Sequence, residues 1–168
     1  MQPRRLLLIR HAQAGHGPVD PDRPLTERGK RQAAAIAAWM ERAAMVPDRV
    51  LVSPARRAGE TWERAAAALL PGLRPIVDPR IYDNTVEALL AAIRETPENV
   101  RSVAVVGHNP SVGELAGVLD DSQGRSAAQR DLDAGFRAGG VALFLLATPF
   151  AALAPGTATL SDFTVPGD

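Results

Sequence analysis

A chain of 168 residues, 46% apolar and 23% charged, is long enough and apolar enough to bury one core without staples. Its formal net charge of zero provides no overall field to draw in nucleic acid or an anionic membrane. It has no cysteine, which excludes disulfides and thiol catalysis. The apolar run Leu6–Ile9 after Arg4 and Arg5 is too short for a signal peptide or a membrane span. These features predict a single cytoplasmic, monomeric domain over residues 1–168, with no nucleic-acid or membrane partner.

Leu6–Ile9 has no polar alternation and reads as a short strand buried on both faces. Gly15–Pro24, rich in Gly, Pro and Asp, is a loop. Thr26 then stands as an N-cap, and Ala33, Ile36, Ala37 and Met40 mark one face of a helix. Pro47 ends that region and Arg49–Val52 forms a second buried strand. An alanine-rich helix is predicted from Arg56 to Leu70, stopped by Pro71 and Gly72. A short strand follows at Ile76–Val77. Val86, Leu89, Leu90 and Ile93 fall at i, i+3, i+4 and i+7 and predict a helix over Val86–Thr96. Ser102–Val106 is a further buried strand, and a helix beyond Pro110 runs to Leu119. Asp120–Gly139 is polar and receives no element. Val141–Ala147 is a strand, and Thr157–Phe163 an edge strand. Strands alternating with helices predict an α/β three-layer sandwich with a mostly parallel central sheet and helices on both faces.

In an open parallel sheet, ligands bind beyond the carboxyl ends of the strands. Three buried strands end there on polar groups: Arg10 and His11 after Leu6–Ile9, Ser53 after Arg49–Val52, and Gly107 and His108 after Ser102–Val106. Arg56 and Arg57 open the helix after Ser53, so at least one reaches the same edge, where a helix start also favours an anion. Arginine matches phosphate with a bidentate fork. A neutral imidazole can accept a phosphoryl group while a second imidazole stabilises its charge. Taken singly, Arg10 is a surface charge at a strand end, His108 a turn residue, and the arginine pair solvated helix charges. Their convergence on one sheet edge favours a phosphate site with a nucleophile. A zinc site from His11, His16 and His108 lacks a pair at helical spacing and acidic ligands. The reading therefore assigns no metal and no cofactor.

The stretches "LLLIRHAQA", "RPLTERGKRQA", "VLVSPARRAGETW" and "VAVVGHNPSVGELAGVL" resemble the histidine phosphatase (phosphoglycerate mutase-like) superfamily, and within it the small SixA-type phosphohistidine phosphatases. They run from Leu6 to Leu119 in the family's order and spacing. The resemblance implies that His11 accepts the phosphoryl group and that Arg10, Arg57 and His108 complete the phosphate pocket, with Asn109 beside them. Arg57 is preferred to Arg56 because the family pattern is Ser, three residues, then Arg-Ala, matching Ser53, Arg57 and Ala58. Ala12 stands where the family most often has glycine. Many members place an acid after the third strand to protonate the leaving group. In "PRIYDN" that candidate is Asp83, with a turn role beside Asn84 as the alternative.

The implied enzyme is a metal-independent phosphatase acting on phosphohistidine in a protein, for example a histidine phosphotransfer domain. The alternatives are a small phosphate ester as substrate, or a non-catalytic phosphoprotein-binding module. A phosphoglycerate mutase would need further segments to enclose its substrate. The Ala12–Leu25 loop is the one nearby segment long enough to fold over the site, and its Gly and Pro content reads as a rim. An uncovered pocket excludes water poorly and admits a side chain presented on another protein.

Overall fold

The computed structural model describes residues 2–67 and 69–168. Six strands form one sheet in the order β3-β2-β4-β1-β5-β6: β1 is Arg4–Arg10, β2 Arg49–Val52, β3 Ile76–Val77, β4 Ser102–Gly107, β5 Val141–Leu146 and β6 Ala158–Thr164. The first four pair in parallel, while β5 runs antiparallel to both β1 and β6. The α/β class with a mostly parallel sheet is as the sequence predicts.

Alternation along the central strands explains why their sequences carry no polar alternation. Leu6 and Leu8 of β1 pack with Val103 and Val105 of β4 in one core, whereas Leu7 and Ile9 pack with Ala104 and Val106 in another on the opposite face. Both faces are covered, so every position in the run is apolar. Helices α1 (Glu27–Arg42) and α2 (Arg56–Trp62) cover the second face. Helices α4 (Val86–Arg94), α5 (Ser111–Leu119) and α6 (Ser126–Asp133) cover the first, near the short α3 (Pro79–Tyr82). Each large aliphatic side chain so buried contributes about 1.5–3 kcal/mol.

Local signals account for most boundaries. The Thr26 side chain accepts from the Gly29 amide and starts α1, and Thr85 does the same for Ala88 in α4. On α1, Ala37 is only half buried, and Gln32 and Trp39 join Ala33, Ile36 and Met40 inside. The long helix predicted over Arg56–Leu70 is instead α2 followed by a π-helical turn at Glu63–Ala67; residue 68 of that span lies outside the described residues. Helix α4 stops at Arg94, two residues before the predicted end. The stretch left without an element holds α6, which buries only Ala128 and Leu132. At the sheet edge, β3 is short and its two side chains are exposed.

Candidate active site

The parallel register sets Arg10 of β1 opposite Gly107 of β4, and Val52 of β2 opposite Val106. The residues that follow, His11, Ser53 and His108, therefore leave the sheet at one edge. His11 is held by its backbone on both sides. Its amide donates to the Gly107 carbonyl at 3.0 Å, and its carbonyl accepts from the Gly139 amide at 3.1 Å. Gly139 reaches there with φ +77°, a conformation L side chains rarely adopt. The buried hydroxyl of Thr61 ties the two halves together, accepting from the Ala12 amide at 3.0 Å and donating to the Arg57 carbonyl at 2.6 Å.

A cavity of about 610 Å³ opens at this edge, lined among others by Arg10, His11, Arg57, Tyr82, His108 and Asn109. Nδ1 of His11 lies 2.7 Å from the Ala12 carbonyl oxygen, which only accepts, so Nδ1 carries the proton and the lone pair sits on Nε2. Burial, then the charges of Arg57, Arg10 and Arg23, push the His11 imidazole down to about 4, against the opposing pull of the Ala12 carbonyl. A neutral imidazole with its free nitrogen on a cationic cavity is equipped as a nucleophile toward phosphorus. The ring of His108 stands 5.2 Å away, centroid to centroid. Its Nε2 is 2.7 Å from Ser53 Oγ, while Nδ1 is buried with no protein partner. A buried polar atom without a partner is costly.

Burial, together with the charges of His11 and Arg57, pushes His108 down to about 3. The unfolded chain takes up these two protons near pH 6.5, as free imidazoles do. The folded chain takes them up only at about 4 and about 3, so acidification below pH 6.5 favours unfolding down to that range. An NMR titration of the folded protein is expected to find both rings neutral at pH 6. A charged His11 at that pH would contradict the nucleophile's tautomer.

Arginine geometry completes the cavity. Arg10 Nη1 donates to the Phe136 carbonyl at 2.9 Å, and Asn109 Nδ2 donates to the same oxygen at 2.8 Å. Arg57 is 5% exposed and donates from Nη1 to the Asp20 carbonyl at 2.9 Å and from Nη2 to Asp20 Oδ2 at 3.2 Å. Asp20 also accepts from Arg23 Nε at 3.1 Å and from the Tyr82 hydroxyl. The Tyr82 hydroxyl first, and then Arg57, hold the Asp20 carboxyl down at about 2, so it keeps no proton at neutral pH. The Asp20 carbonyl and carboxylate thus take one Nη each of the Arg57 guanidinium, a fork of the kind that binds phosphate.

Of the predicted site residues, the structure brings Arg10, His11, Arg57, His108 and Asn109 onto one cavity. Asp83 is not among the lining residues; it is exposed at the end of α3, while its neighbours Tyr82 and Asn84 face the cavity. The turn role suits it, because Asn84 has φ +63° and joins the turn to α5 by accepting from the Ser111 amide at 3.1 Å. His16 is exposed and away from the cavity lining. Among the described residues no three His, Cys, Asp or Glu side chains converge as ligands for a metal ion. Sequence reasoning missed Asp20, Arg23 and Tyr82. Tyr82 is the only tyrosine of the chain, and it adjoins the stretch searched for an acid.

The family model for the histidine phosphatase superfamily (branch 1) matches residues 6–89. The phosphohistidine phosphatase SixA of Escherichia coli (strain K12) is 33% identical over 124 residues, spanning 68% of this chain and 73% of its own. An uncharacterized protein of Mycobacterium tuberculosis (strain H37Rv) is 32% identical over 161 residues, spanning 94% of this chain and 99% of its own. The solved structure of the protein histidine phosphatase SixA complexed with tungstate superposes with a TM-score of 0.77 at 27% identity, over 96% of this chain and 97% of the other. A structure assigned as SixA from Nakamurella multipartitia gives 0.86 at 28% identity, over 98% and 96%. With the family match running through the ends of β1 and β2 into α4, and relatives aligned along most of its length, the chain belongs to the histidine phosphatase superfamily.

Proposed function

We propose that the protein is a phosphatase that removes the phosphoryl group from phosphohistidine on another protein, through a phosphohistidine intermediate on His11. In the first step the Nε2 lone pair of His11 attacks phosphorus, and the bond from phosphorus to the substrate nitrogen breaks, that nitrogen keeping the pair and leaving as neutral imidazole because the other nitrogen of the substrate ring carries a proton. In the second step water attacks the phosphoryl group on His11, and inorganic phosphate leaves with Nε2 restored. Arg10, Arg57 and His108 hold the equatorial oxygens, so positioning and charge stabilisation provide most of the rate.

The observation that carries the substrate class is that, among the described residues, no carboxylic acid stands poised in the cavity. Asp83 lies outside the lining, and Asp20 is held ionised at about 2. An alkoxide leaving from a sugar or glycerol phosphate needs a proton donor at that moment. Imidazole leaves as a neutral base when the other nitrogen of its ring is protonated, and since its conjugate acid has an ordinary pKa of about 6.5 it needs far less help. The SixA relative and the likeness to a structure holding tungstate, a tetrahedral oxyanion like phosphate, support the same reading. The enzyme acts as a monomer in the cytoplasm, on a phosphorylated protein such as a histidine phosphotransfer domain. The deciding experiment compares kcat/KM on a phosphohistidine protein with that on a panel of sugar, nucleotide and aryl phosphates. The phosphoprotein is expected to win by about tenfold or more, about 1.4 kcal/mol of transition-state binding. A tenfold preference for one small ester would overturn the protein substrate and keep the phosphatase.

The mechanism requires no metal. The cavity presents the cationic side chains of Arg10, Arg23 and Arg57, which repel a divalent ion and supply the charge it would otherwise bring. Activity is expected to survive EDTA undiminished, and a restored rate on adding magnesium or zinc would reject this chemistry.

A further inference from the structure

A second cavity of about 230 Å³ adjoins the phosphate cavity, and Gln13 and Ala138 line both. Its charged walls are Arg28 and Arg137, and the Asp168 carboxylate sits between them. Oδ1 is 3.4 Å from Arg28 Nη2, and Oδ2 is ion-paired with Arg137. The two arginine side chains remain 58% and 65% exposed, whereas the Asp168 side chain is 24% exposed. Ion pairs of such open side chains are weak and exchange readily for another carboxylate.

The two arginines are fixed relative to the reacting groups. Arg137 follows Phe136, whose carbonyl accepts from Arg10 and Asn109. Arg28 precedes Gly29 on α1, where any Cβ would collide with the Gln13 carbonyl, so this turn lies directly on the chain leaving His11. The Gln13 amide in turn donates at 2.8 Å to Gln32, which lines the second cavity. The phosphate cavity shows a related arrangement, an internal carboxylate (Asp20) resting on one Nη of an arginine that an external anion would use.

We infer that Arg28 and Arg137 form a second anion subsite, which takes an Asp or Glu side chain lying near the phosphorylated residue of the protein substrate, and that Asp168 fills this subsite when no substrate is bound. The inference rests on the phosphoprotein reading above. Charge complementarity selects an acidic surface on the partner, and the shared wall of the two cavities places that carboxylate beside the phosphoryl group.

The test uses the full chain and two phosphohistidine peptides that differ only in the flanking residues, Asp and Glu in one, Asn and Gln in the other. An aryl phosphate reports on the phosphate cavity alone. The acidic peptide is expected to have the higher kcat/KM by about tenfold. The Arg28→Ala/Arg137→Ala double variant is expected to erase that difference while aryl phosphate turnover stays within about twofold. Asp168→Asn removes the internal competitor and is expected to lower KM for the acidic peptide only. Equal turnover of both peptides by the wild type overturns the subsite while leaving the phosphohistidine reading intact. If the wild type hydrolyses the aryl phosphate and neither peptide, the phosphohistidine reading fails and the subsite with it. Loss of aryl phosphate turnover in the double variant would place the arginines in the phosphate cavity instead. A preference for a small bisphosphate over its monoester, abolished in the double variant, would assign the subsite to a metabolite and also overturn the inference.

Discussion

Substituting His11→Ala is expected to abolish turnover of an aryl phosphate while the protein remains folded. In the proposed route the Nε2 lone pair forms the bond to phosphorus, and among the described residues no other neutral imidazole nitrogen is placed to replace it. Nε2 of His108 is committed to Ser53, and the ring centroids stand 5.2 Å apart. Removing the nucleophile of a covalent mechanism typically lowers kcat by about 10⁴–10⁶, since the remaining groups act only as a unit with it. The fold should persist because the His11 side chain makes a single protein hydrogen bond, to the neighbouring carbonyl of Ala12, while the backbone tethers to Gly107 and Gly139 are untouched. Circular dichroism and the melting temperature check the second claim. A rapid alkaline quench of the wild type with labelled substrate should trap an acid-labile phosphoryl group on the protein, and the variant should trap none. Near-normal turnover by His11→Ala would reject the covalent route outright.

The parts of this design that were readable in the sequence are those set by short-range rules. Leu6–Ile9 and Ser102–Val106 are apolar at every position because helices cover both faces of the sheet, and that pattern alone identifies central strands. Once the strands are known, their carboxyl ends predict where His11, Ser53 and His108 converge. Helix α6 was not readable, because a helix burying only Ala128 and Leu132 leaves too thin an apolar stripe among polar residues. Asp20 and Tyr82 were not readable for a different reason. Asp20 meets Arg57 across 37 residues of sequence and Tyr82 meets Asp20 across 62, and no periodicity records such closures. Asp83 shows how narrow the margin is. At the end of a four-residue helix, a shift of one residue decides which side chain enters the cavity, so Tyr82 and Asn84 line it and Asp83 does not.

The second large effect separates two adjacent arginines. Arg57→Ala is expected to lower kcat/KM by about 10²–10³, the usual consequence of removing one preorganised donor to transition-state charge. Arg56→Ala should change it by less than about twofold. The two side chains leave α2 on different sides: that of Arg57 is 7% exposed and that of Arg56 is 58% exposed. Arg56 spends its guanidinium on Glu60, one turn along the same helix at 2.7 Å, an open pair that contributes about 0.3–0.5 kcal/mol. Arg57 points its two Nη groups at the carbonyl and carboxylate of Asp20, which stand where phosphate oxygens would lie. Because the three phosphoryl oxygens spread into one plane in the transition state, where a planar guanidinium fits them best, the loss should fall on kcat as well as on KM. Arg57→Lys keeps the charge but not the planar fork, so its rate should lie between those of the wild type and the alanine variant. If Arg56→Ala were the more damaging of the pair, the phosphate would have to bind on the outer face of α2, away from His11, and the cavity described here would not be the site of reaction.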